Sequence, residues 1–77
     1  MNGDIISMTD MGVVFTVTDK LGIDRELVSV PLQKEDPGGA QILSSGEIEI
    51  VIPLTIPLEQ WVVTLDNELR NLGVGRD

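Results

Sequence analysis

Met11-Gly12-Val13-Val14-Phe15-Thr16-Val17-Thr18-Asp19-Lys20-Leu21-Gly22 is the stretch on which the fold turns. Val13, Phe15 and Val17 alternate with Val14, Thr16 and Thr18, a period of two built from β-branched and aromatic residues, which predicts a strand. Asp19 then heads a type I turn and Gly22 takes the left-handed position after it, the chemistry of a three-residue hairpin loop. Pairing Asp19 with Ile23 sets Val17 opposite Arg25, Phe15 opposite Leu27 and Val13 opposite Ser29, with Thr18 against Asp24 and Thr16 against Glu26 on the other face. A one-residue bulge between Glu26 and Val28 would carry Val28, Val30 and Leu32 onto the buried side, and Pro31 places this half of the strand at an edge.

Downstream, Lys34-Glu35-Asp36-Pro37-Gly38-Gly39 is a loop by its charge, Pro and Gly content. Glu47-Ile48-Glu49-Ile50-Val51-Ile52 reads as a strand with Ile48, Ile50 and Ile52 on one face, ended by Pro53. From Pro57 the period becomes helical. Val62, Leu65, Leu69 and Leu72 fall within about 40° of Leu58, and Trp61 lies at about 60°, a core-facing stripe over Leu58 to Leu72. Thr55 or Ile56 is the candidate cap, Asp66 and Arg70 form an i,i+4 pair, and Gly73 is placed to stop the helix with Val74 packing back on Leu69. The expected fold is α+β: a small antiparallel sheet of three or four strands, the fourth drawn from Asp4 to Met8, with one C-terminal amphipathic helix packed on one face.

The chain has 77 residues, which supports one small domain over residues 1–77. Apolar burial of about 110 kcal/mol faces an ordering cost of about the same size, so a partner or self-association is expected to add support. There is no Cys and no His, which removes disulfides, Cys or His metal sites, a thiol nucleophile and an imidazole base. Thirteen Asp and Glu against five Lys and Arg give a net charge of −8, which opposes direct binding of nucleic acid or an anionic membrane. No basic region precedes an apolar run at the start, and the apolar stretch from Ile48 is cut by Pro53 and Pro57, so neither a signal peptide nor a membrane span is expected. The expected location is the cytoplasm or the interior of a viral particle.

Carboxylates are the abundant reactive groups. Glu47 and Glu49 stand about 7 Å apart on one strand face, within range for a general acid and base pair. An E-x-E alternation opposite three isoleucines is more simply a solvated strand face. No segment has EF-hand spacing, and Asp10 and Asp36 precede glycines as turn formers. Gly38-Gly39 lacks the frame of a phosphate loop, and a Ser nucleophile would need a Lys base, whereas Lys20 and Lys34 sit in turns. The match of Met11-Gly12-Val13-Val14-Phe15-Thr16 to a myristoylation pattern is taken as chance. These readings leave no catalytic, cofactor or metal residues, no small-molecule substrate and no enzyme.

The expected fold leaves Leu21 at the hairpin tip and Val14 and Val51 on the polar faces of their strands, with Val63 about 140° off the helix stripe and Trp61, first a core residue, at its margin as the best single interface anchor. These five are the candidate interface. The leading expectation is a non-enzymatic interaction subunit, a structural or cementing component of a larger assembly such as a viral particle, with a protein partner or a second copy of itself. The alternative is an acidic inhibitor occupying a basic site of a nucleic-acid enzyme, its carboxylates standing in for phosphates.

Overall fold

Ser7 begins the first element. Its hydroxyl accepts a hydrogen bond from the Asp10 N–H at 3.1 Å, and the Asp10 carboxylate accepts one from the Ser7 N–H at 3.0 Å. This reciprocal capping box starts a helix, α1, over Met8–Lys20. The stretch expected to form a hairpin is therefore helical. In the structure, a computed structural model describing residues 5–74, the alternation of β-branched residues gives way to a second period in the same letters. Val14, Val17, Thr18 and Leu21 are spaced i, i+3, i+4 and i+7, and all four are buried. Two of the three hydroxyls on α1 are satisfied locally, Thr16 donating to the Gly12 carbonyl at 2.8 Å and Thr18 to the Phe15 carbonyl at 3.2 Å. Phe15 meets Arg25, as expected of neither residue, through a guanidinium 4.6 Å from the ring centroid.

Gly22 does take positive φ, at 76°, but as the residue that ends a helix. Its N–H donates to the Asp19 carbonyl at 3.0 Å, and the next N–H, of Ile23, donates to the Thr18 carbonyl at 2.9 Å. That pair of bonds is a Schellman motif, and the Ile23 side chain is buried beside it. Asp24 then caps a single 3₁₀ turn, Arg25–Leu27, which leads into a two-residue strand, β1, Val28–Ser29. Val28 and Val30 pack against the core, whereas Leu32 is exposed.

The remaining strands are β2, Gly39–Ile42, and β3, Ile48–Val51. The sheet order is β1-β3-β2, with β2 antiparallel and β1 parallel to the central β3. The sheet is thus three-stranded and mixed, where an antiparallel one was expected, and there are two helices where one was expected. The expected fourth strand reduces, among the described residues, to a bridge between Ile5 and Gln33, with Asp4 outside the described residues. β3 has the expected pattern, Ile48, Ile50 and Ile52 being buried.

The second helix, α2, spans Leu58–Asn71 and carries the expected stripe, with Trp61, Leu65 and Leu69 buried and Leu58, Val62 and Leu72 partly so. Its N-cap is Pro57 itself, with no side-chain cap, so neither Thr55 nor Ile56 serves. Gly73, at φ 78°, ends it by donating to the Arg70 carbonyl at 3.0 Å, and Val74 packs against the core. One core cluster joins the buried faces of α1, β3 and α2, and α2 lies against both α1 and β2.

A helical α1 has consequences that a hairpin lacks. Ser7→Ala is expected to cost about 1 kcal/mol through the lost cap. Gly12→Ala, whose added Cβ meets nothing within 4 Å, should instead stabilise by about 0.5–1 kcal/mol as a helix-interior change. Gly22→Ala should lose about 1 kcal/mol at its left-handed position. Urea denaturation of the three variants checks all three signs.

Candidate functional site: an acidic concavity beside an open strand edge

The connection from β1 to β2 is pinned at the end of β3. The Glu35 N–H donates to the Ile52 carbonyl at 2.8 Å, and the Asp36 carboxylate accepts from the Leu54 and Thr55 N–H groups at 2.7 and 3.1 Å. Those two amides, Thr55 first, hold the Asp36 carboxyl below the ordinary aspartate range. Gly38 has φ 76°, and a Cβ there would lie 2.8 Å from Pro53 Cδ and 2.9 Å from the Val51 carbonyl oxygen. Any larger residue would push the loop off β3.

This pinned loop, the start of β2, the outer residues of β3 and one residue of α2 enclose a concavity of about 450 Å³. Glu35, Asp36, Glu49 and Glu68 line it, together with Ala40 and Val51. Gln41 of β2 donates through Nε2 to Glu49 Oε1 at 2.7 Å, which orients that carboxylate across the strand pair.

The cations are elsewhere. Lys34 pairs with Asp10 at 3.5 Å, Arg25 with Asp19 at 2.6 Å, and both Lys20, at 3.6 Å, and Arg70 pair with Asp66. Among the described residues, every Lys and Arg is thus paired to an aspartate, and no glutamate has a cationic partner. The paired aspartates titrate low: Asp10 through the Ser7 N–H first and Lys34 later, Asp19 through Arg25, and Asp66 through Arg70. Among the described residues no cation stands against the glutamates of the concavity, so its described lining is acidic without a basic partner.

The five residues expected at an interface do not come together. Val14 and Leu21 are buried in the chain's own core, because α1 turns inward the residues that a hairpin would leave outside, and Trp61 is a core residue of α2, as its place in the stripe implied, and so no interface anchor. Val51 is half-buried and lines the acidic concavity. Val63 is 66% exposed and borders a separate groove of about 350 Å³ between α1 and α2, spanned by the Lys20 to Asp66 pair. Glu47 lies at the turn before β3, in contact with the Ser45 hydroxyl, whereas Glu49 joins the concavity. The acidic stripe of Asp24, Glu26, Glu47 and Glu49 depended on the hairpin register, and the concavity collects Glu35, Asp36 and Glu68 around Glu49 in its place. The Asp-Pro-Gly-Gly run was the available signal for a rigid loop here, but nothing local ties it to Glu68.

Among the described residues, no group of acidic side chains is arranged to hold a metal ion, and no helix is long and apolar enough to cross a membrane. Neither protein-family models, nor curated proteins, nor solved structures match this chain.

Two substitutions test the pinned loop. Asp36→Asn keeps a carbonyl acceptor and should lower Tm less than Asp36→Ala. A lowered folded pKa contributes stability that is complete above the unfolded value and disappears as pH falls through the folded one, so both variants should lose part of the wild type's acid-side decline below about pH 4. Gly38→Ala should destabilise more than Gly22→Ala, since backbone strain and a clash add. Thermal melts between acid and neutral pH read both effects.

Proposed function

We propose that this chain is a non-enzymatic protein-interaction subunit that meets a basic surface of its partner with the acidic concavity. The supporting observation is the division of charge: the described cations are paired with aspartates, and Glu35, Glu49 and Glu68 line one concavity without a counter-charge among the described residues. Carboxylates so placed steer a cationic surface towards them and gain most when that surface neutralises them. An acidic inhibitor that occupies the basic site of a nucleic-acid enzyme is the form of this reading closest to the chemistry, because such sites are lined by Lys and Arg arranged for phosphates.

A second reading has its own support. Met8 is 91% exposed and Leu32 74% exposed, and with Val63 they offer apolar surface for packing into a larger assembly, as a structural or cementing component of a viral particle would. Val14, Leu21 and Trp61 no longer contribute to that surface, which is why the acidic reading comes first.

Salt separates the two. Binding of a lysine-rich peptide through the concavity should weaken by about tenfold or more between low and high salt. The double variant Glu35→Gln/Glu68→Gln should weaken it by about fivefold or more, whereas Glu59→Gln, on the exposed first turn of α2, should leave it nearly unchanged. Equal losses at Glu59 and in the double variant would show diffuse attraction to net charge. Concentration-dependent self-association that survives high salt in light scattering would favour the assembly subunit.

A further inference from the structure

The concavity borders an unpaired strand edge. β2 pairs with β3 on one side and with no strand on the other. The hydrogen bond from the Leu43 N–H to the Glu47 carbonyl, 2.7 Å, makes those two residues a hydrogen-bonded pair of the antiparallel ladder. With Gln41 opposite Glu49, Ala40 opposite Ile50 and Ile42 opposite Ile48, the alternation assigns the bonds to Gln41 and turns the N–H and C=O groups of Ala40 and Ile42 outward. Among the described residues, no other backbone or side-chain group takes them up. Strand edges are usually blunted by Lys, Pro or a bulge, and Ala40-Gln41-Ile42 carries none of these.

We propose that this edge accepts an extended, Lys- or Arg-rich segment of the partner as a fourth strand, whose backbone pairs with Ala40 and Ile42 while its cations reach Glu49 and Glu68. The inference rests on the acidic reading above and adds the backbone conformation of the ligand. Outward groups two residues apart match the repeat of an extended chain, about 6.8 Å. Charge selects the occupant. A second copy of this chain would bring a net −8 and the same acidic rim to the same edge, whereas a basic segment neutralises Glu35, Glu49 and Glu68 as it docks. Half-exposed Ile42 adds an apolar contact at the far end of the strand.

The test uses the full chain and two peptides of equal charge: an eight-residue peptide alternating Lys and Thr, and the same peptide N-methylated at alternate amides, which cannot pair as a strand. The unmodified peptide should bind at least about tenfold more tightly and should slow amide hydrogen exchange at Ala40 and Ile42. Ile42→Pro removes one outward N–H, at a position where an edge strand tolerates Pro. It should erase most of the difference between the peptides while the heteronuclear NMR spectrum shows the fold retained. Equal affinity for both peptides, or protection elsewhere than at Ala40 and Ile42, would overturn edge pairing and leave the acidic reading standing. Failure of both peptides to bind would overturn the two together. Slow exchange at Ala40 and Ile42 in the protein alone, growing with concentration, would overturn the basic partner in favour of self-pairing.

Discussion

Three isoleucines on alternate positions, Ile48, Ile50 and Ile52, have to leave water together, and they do so in one buried cluster with Val14 and Val17 of α1 and Trp61, Leu65 and Leu69 of α2. Each fully buried aliphatic side chain is worth about 1.5–3 kcal/mol, so this shared cluster is the main favourable term in the fold. Its geometry ranks everything else. β3 becomes the central strand because its other edge and face are needed by β1 and β2, and α1 supplies Val14, Val17 and Leu21 to close what remains of the core. With α2 and β3 in place, the surface left uncovered accepts a helix.

Charge is then sorted by reach. Asp10 caps α1 and pairs with Lys34, Asp19 in the last turn of α1 meets Arg25, and Asp66 within α2 meets Lys20 and Arg70. The glutamates, in loops as well as on strand and helix, have no such partners among the described residues. Paired aspartates favour the native state above their lowered pKa values.

Legibility differed between elements for a reason that single residues expose. α2 could be read because its stripe, from Leu58 to Leu72, has one period and a Gly73 stop, and β3 because Ile48, Ile50 and Ile52 alternate with polar residues. α1 carries two periods at once: Val13, Phe15, Val17 alternate as a strand would, and Val14, Val17, Thr18, Leu21 recur as a helix would. β-branched residues weight the first reading. Ser7 and Asp10 cap the second, and tertiary burial decides between them. The acidic concavity was hidden for the same reason, since Glu35, Glu49 and Glu68 are distant in sequence and meet through β3 and α2 packing.

By itself, then, the sequence determined the local matters: the acidic balance, the lack of Cys and His, the β3 alternation, the α2 stripe and the need for Gly at position 22, where an αL residue follows Asp19 whichever element precedes it. Tertiary structure alone decided that α1 is a helix, that β1 runs parallel to β3, that Val14 and Leu21 lie inside, and that Glu35, Asp36, Glu49 and Glu68 line one concavity. Local choices are set by steric and hydrogen-bonding preferences within a few residues. The others depend on which distant apolar face is available to exclude water, and that surface exists when the chain has folded.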